Sequence, residues 1–248
     1  MTIEILVGKD YPTNRHGLVR VLEIENSRKV LVKFHNTHFE KIVTAGSLRK
    51  GQVQDDTLAY HGSGAVMDLQ GKFAGKRTKE YALWLAMIQR CYNPAAHLKR
   101  PRYEGCEVST YFKLYSNFAE WCGSQVGFNI QGFDLDKDLL VKGNKLYSES
   151  TCVFIPKEIN IALEKANKLR GDLPIGVSYN SQRGKYAAHM KVNGRSKSLG
   201  RYATVGEAFI AYKAAKERHL KALADKWKDQ IDLRAYKALI NYEVSIDD

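Results

Sequence analysis

The sequence predicts an α+β, multidomain protein. Three observations carry this. The first 57 residues are β-branched and alternating. The stretch from residue 80 repeats apolar side chains at helical spacing. Residues 171–229 read as three short strands and one long amphipathic helix. The expected organisation is 1–57, a small β-barrel; 58–79, a basic Gly-rich linker; 80–170, a central domain; 171–229, a sheet-plus-helix domain; and 230–248, a tail.

Composition narrows the partners. The chain has 248 residues, a formal net charge of +12 and 44 % hydrophobic residues. Such a surplus favours polyanions, nucleic acid first and an anionic membrane second. No apolar run approaches the roughly 20 residues that span a bilayer. MTIEILVGKDYP does not read as a signal peptide, so a cytoplasmic protein is expected. Cys91, Cys106, Cys122 and Cys152 stand far apart, without a Cys-x-x-Cys pair. They read as reduced, buried thiols, with a four-cysteine zinc site as the alternative.

LVRVLEIE and KVLVKFHN are strands, with Glu25-Asn26-Ser27 as their turn, and KIVTAGSLRKGQVQDD adds another strand and a Gly turn. Together they suggest an antiparallel barrel of the Src-homology-three type. Its charge is nearly balanced, nine Lys/Arg against seven Asp/Glu through Asp56, which suits a protein-docking module at least as well as a DNA-binding one. The linker carries Lys72, Lys76, Arg77 and Lys79, suited either to following phosphates or to solvation. From Glu80 a helix places Tyr81, Trp84, Leu85, Ile88 and Tyr92 on one face and ends at Asn93-Pro94. Lys99, Arg100 and Arg102 follow in a loop, as candidates for phosphate contact. Tyr111, Phe112, Tyr115, Phe118, Trp121 and Cys122 form a second apolar stripe, read as scaffold.

The stretch GFDLDKDLLVKGNKLYSESTCVFIPKEIN, Gly132 to Asn160, holds the candidate chemistry. Asp134, Asp136 and Asp138 alternate with Phe133 and Leu135. Period two places the three carboxylates on one side of a strand. Carboxylates so close repel unless a cation or bases sit between them. The competing reading is a solvated acidic face beside Lys137 and Lys142. TCVFIP reads as a second strand, and a helix beginning near Pro156 carries Asn160.

The order strand, turn, strand, helix, with an early Asp and a late Asn, resembles the ββα-metal fold of HNH endonucleases. W-x-x-M-x-x-R-C-Y (Trp84 to Tyr92), YEGCEV, NFAEW, LDKDLLVKGNKLYS and TCVFIPKEIN together resemble HNH-like proteins of tailed bacteriophages, homing-type endonucleases among them. The resemblance covers roughly residues 80 to 165. It implies one divalent cation, Mg²⁺ or Mn²⁺, held by Asp136 or Asp138 and by Asn160. The place of the general base falls on Lys137, or on Leu139 if Asp138 is the ligand; neither is a histidine. An ordinary lysine is protonated at neutral pH, so Lys137 suits binding of the scissile phosphate better than taking a proton.

After Asn160 a helix runs to a boundary near Gly171. Three strands then follow, separated by Arg183-Gly184 and Asn193-Gly194 turns. Thr204 and Glu207 make a capping box for a helix whose apolar side includes Ala208, Phe209, Tyr212, Leu220 and Leu223. Gly176-Val177, Gly184 to Ala188, Leu199 to Tyr202 and the Ala-rich helix are similar to the Apetala-two DNA-binding domain, whose three-stranded sheet enters the major groove. The positions so implicated are Ser178, Arg183, Lys185, His189, Lys191, Arg195, Ser196, Lys197, Ser198 and Arg201. Small polar residues replace several of that family's arginines and tryptophans, which favours backbone contact over base readout. Lys168 to Asp229 holds fourteen Lys/Arg against five Asp/Glu, so most of the positive charge lies here. The expected function is metal-dependent hydrolysis of double-stranded DNA. The alternative is a DNA-binding or virion-associated protein that keeps the fold without cleaving.

Overall fold

The computed structural model describes residues 4–56, 62–69, 71–73, 76–164, 173–192 and 194–246. It is a mixed α+β chain with several separate sheets. Two compact units divide it, Met1–Glu120 and Trp121–Asp248. Among the described residues no helix is long and apolar enough to cross a membrane.

In the first unit, β1 (Asp10–Pro12), β2 (Leu18–Asn26), β3 (Lys29–Phe34) and β4 (Glu40–Val43) form an antiparallel meander in that order. Alternation buries Val19, Val21, Val30, Val32, Phe34 and Val43 on one face. The expected barrel does not close: among the described residues no sheet is a closed barrel. The reason lies after β4. The segment expected to add a strand turns instead into α1 (Ala45–Arg49), because the Thr44 side chain accepts the N–H of Ser47 and caps it. Leu48 and Val53 then cover the apolar face that a further strand would have covered.

Residue 57 of the expected barrel and residues 58–61, 70, 74 and 75 of the expected linker lie outside the described residues. β5 (Lys72–Phe73) and β6 (Lys76–Arg77) pair as a short ribbon with Lys76 and Arg77 exposed. The helix expected from Glu80 is α2 (Lys79–Tyr92), capped by Thr78. Its apolar face carries Trp84, whose indole N–H donates to the Phe112 carbonyl at 2.8 Å. Tyr81, Trp84 and Tyr115 pack with ring centroids 5.3–6.2 Å apart. Asn93 ends α2 and also caps α3 (Pro94–Lys99), which occupies part of the expected loop and leads into a 3-10 turn, Pro101–Tyr103. β7 (Glu107–Val108), α4 (Thr110–Lys113) and α5 (Tyr115–Ser124) follow.

The second unit contains β8 (Phe133–Asp136), β9 (Leu146–Tyr147), β10 (Val153–Pro156) and α6 (Lys157–Leu163). β8 and β10 are antiparallel, with Phe133 opposite Pro156 and Asp136 opposite Val153. α6 packs on both, which makes a two-strand, one-helix layer. Phe154 fills its centre, 5.7 Å from the Trp121 ring and 5.3 Å from Phe128. Residues 165–172, including the boundary expected near Gly171, lie outside the described residues.

β11 (Val177–Asn180), β12 (Lys185–Val192) and β13 (Arg195–Tyr202) form a three-stranded antiparallel sheet. α7 (Val205–Trp227) lies across it, started by the Thr204–Glu207 capping box. Val177, Ala188 and Met190 meet Ala208, Phe209 and Tyr212 in the core. α8 (Leu233–Ile240), capped by Asp232, packs on α7. The tail, to which the sequence assigned no chemistry, adds Val244 to this core; the Val244 carbonyl accepts from Lys213 at 2.9 Å.

α7 also holds the strand-helix layer. Trp227 meets Phe133 edge-on at 5.7 Å, and Glu158 of α6 accepts from Lys226 at 2.5 Å and from the Trp227 indole at 3.1 Å. The buried Lys216 donates to the Ala162 carbonyl at the end of α6.

Gly176 enters β11 at φ +76, and a Cβ there would lie 2.0 Å from the Tyr212 ring. Both the left-handed backbone and the clash oppose any side chain. Gly176→Ala is expected to cost about 2–4 kcal/mol of stability, read as a lowered urea midpoint. An unchanged midpoint would contradict the packing of α7 on this sheet.

Candidate metal and nucleic-acid site

β8 ends at Asp136 because of Asp136 itself. Its Oδ1 accepts the backbone N–H groups of Asp138 at 2.9 Å and Leu139 at 2.7 Å. The side chain thus turns the chain out of the strand. The expectation of three carboxylates on one strand face is corrected accordingly. Asp134 is exposed on β8, Asp136 is only 8 % exposed, and Asp138 lies beyond the strand with its side chain 57 % exposed.

Lys137 follows the bend inward and is 5 % exposed. Its Nζ donates to Asp138 Oδ1 and to the Asn144 carbonyl, both at 2.5 Å, and sits 5.6 Å from the Tyr147 ring centroid. Asn144 locks this pose. Its amide nitrogen donates to the carbonyls of Lys137 at 2.7 Å and Leu146 at 2.6 Å. The turn at Gly143-Asn144 is therefore the clasp of the stretch.

Asp136 Oδ2 accepts no hydrogen bond from any described residue. Burial raises the pKa of this carboxyl, and the charge of Asp138 adds to the rise; the two N–H donors and Lys137 oppose it. A buried carboxylate oxygen without a donor is costly, at about 1–3 kcal/mol or more. Asn160 sits half-buried on α6, and its side chain likewise makes no hydrogen bond to a described residue. α6 packs against β8, so the layer brings the helix of Asn160 to the strand of Asp136.

Among the described residues no group of three or more His, Cys, Asp or Glu could hold a metal ion. All four cysteines are buried and unbridged, and burial pushes the Cys152 thiol up to about 12, away from a thiolate. The zinc alternative thus gains no support. The donors that remain, an orphan carboxylate oxygen and an amide, fit a hard oxygen-seeking cation. Mg²⁺ characteristically takes one or two carboxylates and fills its other positions with water and substrate phosphate.

The β11–β13 register sorts the expected DNA-contacting residues, because directly paired residues share a face. Ser178 pairs with Ala187 and Ala187 with Arg201; His189 pairs with Ser198 and Lys191 with Ser196. With Lys185 they lie on the face away from α7, where Ser178, Lys185, Lys191, Ser198 and Arg201 are exposed and His189 is half-buried. Arg195 and Lys197 pair with Val192 and Met190 and so belong to the α7 side. Lys197 accordingly contributes to lowering the pKa of His219 on α7, after burial and Lys216. Arg183 is exposed in the turn before β12.

The sequence reading missed Lys216, whose pKa burial lowers. A signal existed: Lys216 stands between Tyr212 and Leu220, four residues from each, on the buried stripe of α7. Glu158, which ties α6 to α7, gave no comparable signal.

If Asp136 is a cation ligand, Asp136→Asn removes the buried charge while its carbonyl oxygen still caps the turn. The variant is expected to melt at or above the wild-type temperature without divalent ions. Adding Mg²⁺ is expected to raise the melting temperature of the wild type only, since a ligand stabilises the state that binds it. Equal responses to Mg²⁺ would remove Asp136 from the ligand set.

Compared with known proteins, the chain matches no family model, no curated protein and no solved structure.

Proposed function

We propose that this chain is a metal-dependent DNA endonuclease of the HNH-like class. It would hold duplex DNA on the outer face of β11–β13 and a divalent cation at Asp136 and Asn160. The observation that carries the proposal is the buried Asp136 carboxylate, whose Oδ2 lacks a donor among the described residues and whose strand lies under the helix of Asn160. The outer sheet face supports the DNA part. Lys185, Lys191 and Arg201 supply charge, and Ser178 and Ser198 supply small hydroxyl groups that let a backbone approach closely. Such a surface suits phosphate contacts, which position a duplex without reading its sequence.

A Mg²⁺-class ion at this place would polarise the scissile phosphate and stabilise the leaving oxygen. The residues of the chain itself orient. Asp136 Oδ1 accepts the two N–H groups that make the turn, which leaves Oδ2 for the ion, and the Asn144 clasp braces that turn. Lys137 takes no part as a base in this proposal, because Asp138 and the Asn144 carbonyl engage its ammonium. The N-terminal sheet, β1–β4, whose segment is nearly balanced in charge, is assigned to protein docking. A cytoplasmic place of action, in a host cell if the protein is phage-encoded, accompanies this assignment.

The same engagement of Lys137 favours a second reading: a DNA-binding or virion-associated protein that keeps the strand-helix layer and does not cleave. Supercoiled plasmid distinguishes the two. With Mg²⁺ or Mn²⁺, wild-type protein is expected to nick or linearise it, and Asp136→Asn and Asn160→Ala are expected to lose at least about 100-fold in rate, the order of a lost transition-state contact. If wild type and variants all shift the plasmid on a gel and leave it intact, the non-cleaving reading stands.

A further inference from the structure

The first unit carries a second concentration of positive charge that the sheet does not explain. Residues 90–103 hold Arg90, Lys99, Arg100 and Arg102 and no acidic residue; the nearest acids beyond, Glu104 and Glu107, mark one border. The fold compacts this segment. Asn93 joins α2 to α3 without an intervening loop, and α3 packs on the following 3-10 turn. The Arg90 guanidinium lies 5.6 Å from the Tyr103 ring centroid and that of Arg102 lies 5.1 Å from it. A ring face attracts a guanidinium and holds it in place. Tyr103 therefore gathers two guanidiniums, while Lys99 and Arg100 stand exposed beside them.

We infer that this α2–α3 surface is a second phosphate-binding surface, which engages the sugar-phosphate backbone of duplex DNA. The inference rests on the DNA-binding part of the function proposed above. Arginine suits such contacts, since its planar fork can meet two phosphate oxygens and it stacks on aromatic rings. Exposed Lys99 and Arg100 extend the charged surface over more than one phosphate. Neutralising phosphates releases condensed counterions, so each contact adds close to one unit to the slope of log affinity against log salt. That slope reads contact number directly and needs no knowledge of the target sequence.

The test uses the full chain and a duplex of arbitrary sequence, with affinity measured by fluorescence anisotropy between about 50 and 200 mM salt. Arg100→Ala/Arg102→Ala is expected to lower the slope by about two, and Lys191→Ala/Arg201→Ala on the sheet by a similar amount. Arg100→Lys/Arg102→Lys keeps the charge and is expected to keep the slope, which a merely structural role for the arginines would not predict. If the Ala pair on the first unit leaves slope and affinity unchanged while the sheet pair lowers both, this inference falls and DNA binding by the sheet stands. If the wild-type chain binds no duplex, both fall. If the alanine variant does not fold by circular dichroism, the lysine pair and the single Arg100→Ala decide in its place: a slope unchanged by Arg100→Ala overturns the second surface.

Discussion

The site depends on the burial of one carboxylate. Asp136 sits at the end of β8 with 8 % of its surface exposed. Removing an ion from water costs several kcal/mol even after relaxation. Two backbone N–H donors offset part of that, at roughly 1.5–3 kcal/mol for each hydrogen bond to a charged group. Both reach the same oxygen. The other oxygen is left without a donor among the described residues, and a cation is the chemistry that would satisfy it. The same two bonds decide the local path of the chain. They end the strand, turn Lys137 inward and send Asp138 outward, and the Asn144 clasp follows from where Lys137 arrives.

What keeps this arrangement rigid lies far away in sequence. α7 carries the proposed DNA-facing sheet on one part of its length and the strand-helix layer on another. Tyr212 meets the sheet side, while Lys216, Lys226 and Trp227 meet α6 and β8. One helix thus makes the proposed binding face and the carboxylate site parts of one unit. The proposed cleavage would need this constraint, because productive geometry requires the duplex to be held in a fixed relation to the reacting centre.

The parts of the fold legible in the sequence were those set by local chemistry. The Thr204–Glu207 capping box and the alternation of β2 and β3 each involve groups a few residues apart, and the structure contains them where expected. Strand β10 and helix α6 follow equally local rules. Non-local features were not legible. Barrel closure depends on what covers a sheet edge, and the α1 cap at Thr44 changed the path of the chain. Period-two reasoning failed at Asp138 because Asp136 uses its own side chain to end the strand. Arg195 and Lys197 lie on the α7 side of the sheet because β12 and β13 shift register at Ala188/His189, which composition cannot reveal. The buried Lys216 was visible only as an interruption of an apolar stripe.

The most direct test of the metal site is a calorimetric titration of the full chain with Mn²⁺ in the absence of DNA. Saturable binding of a single ion per chain is expected, lost in Asp136→Asn and weakened in Asn160→Ala, with circular dichroism of both variants unchanged. No saturable heat from a folded wild-type protein would contradict the proposed cation site, and would leave Asp136 as a structural cap beneath a DNA-binding sheet.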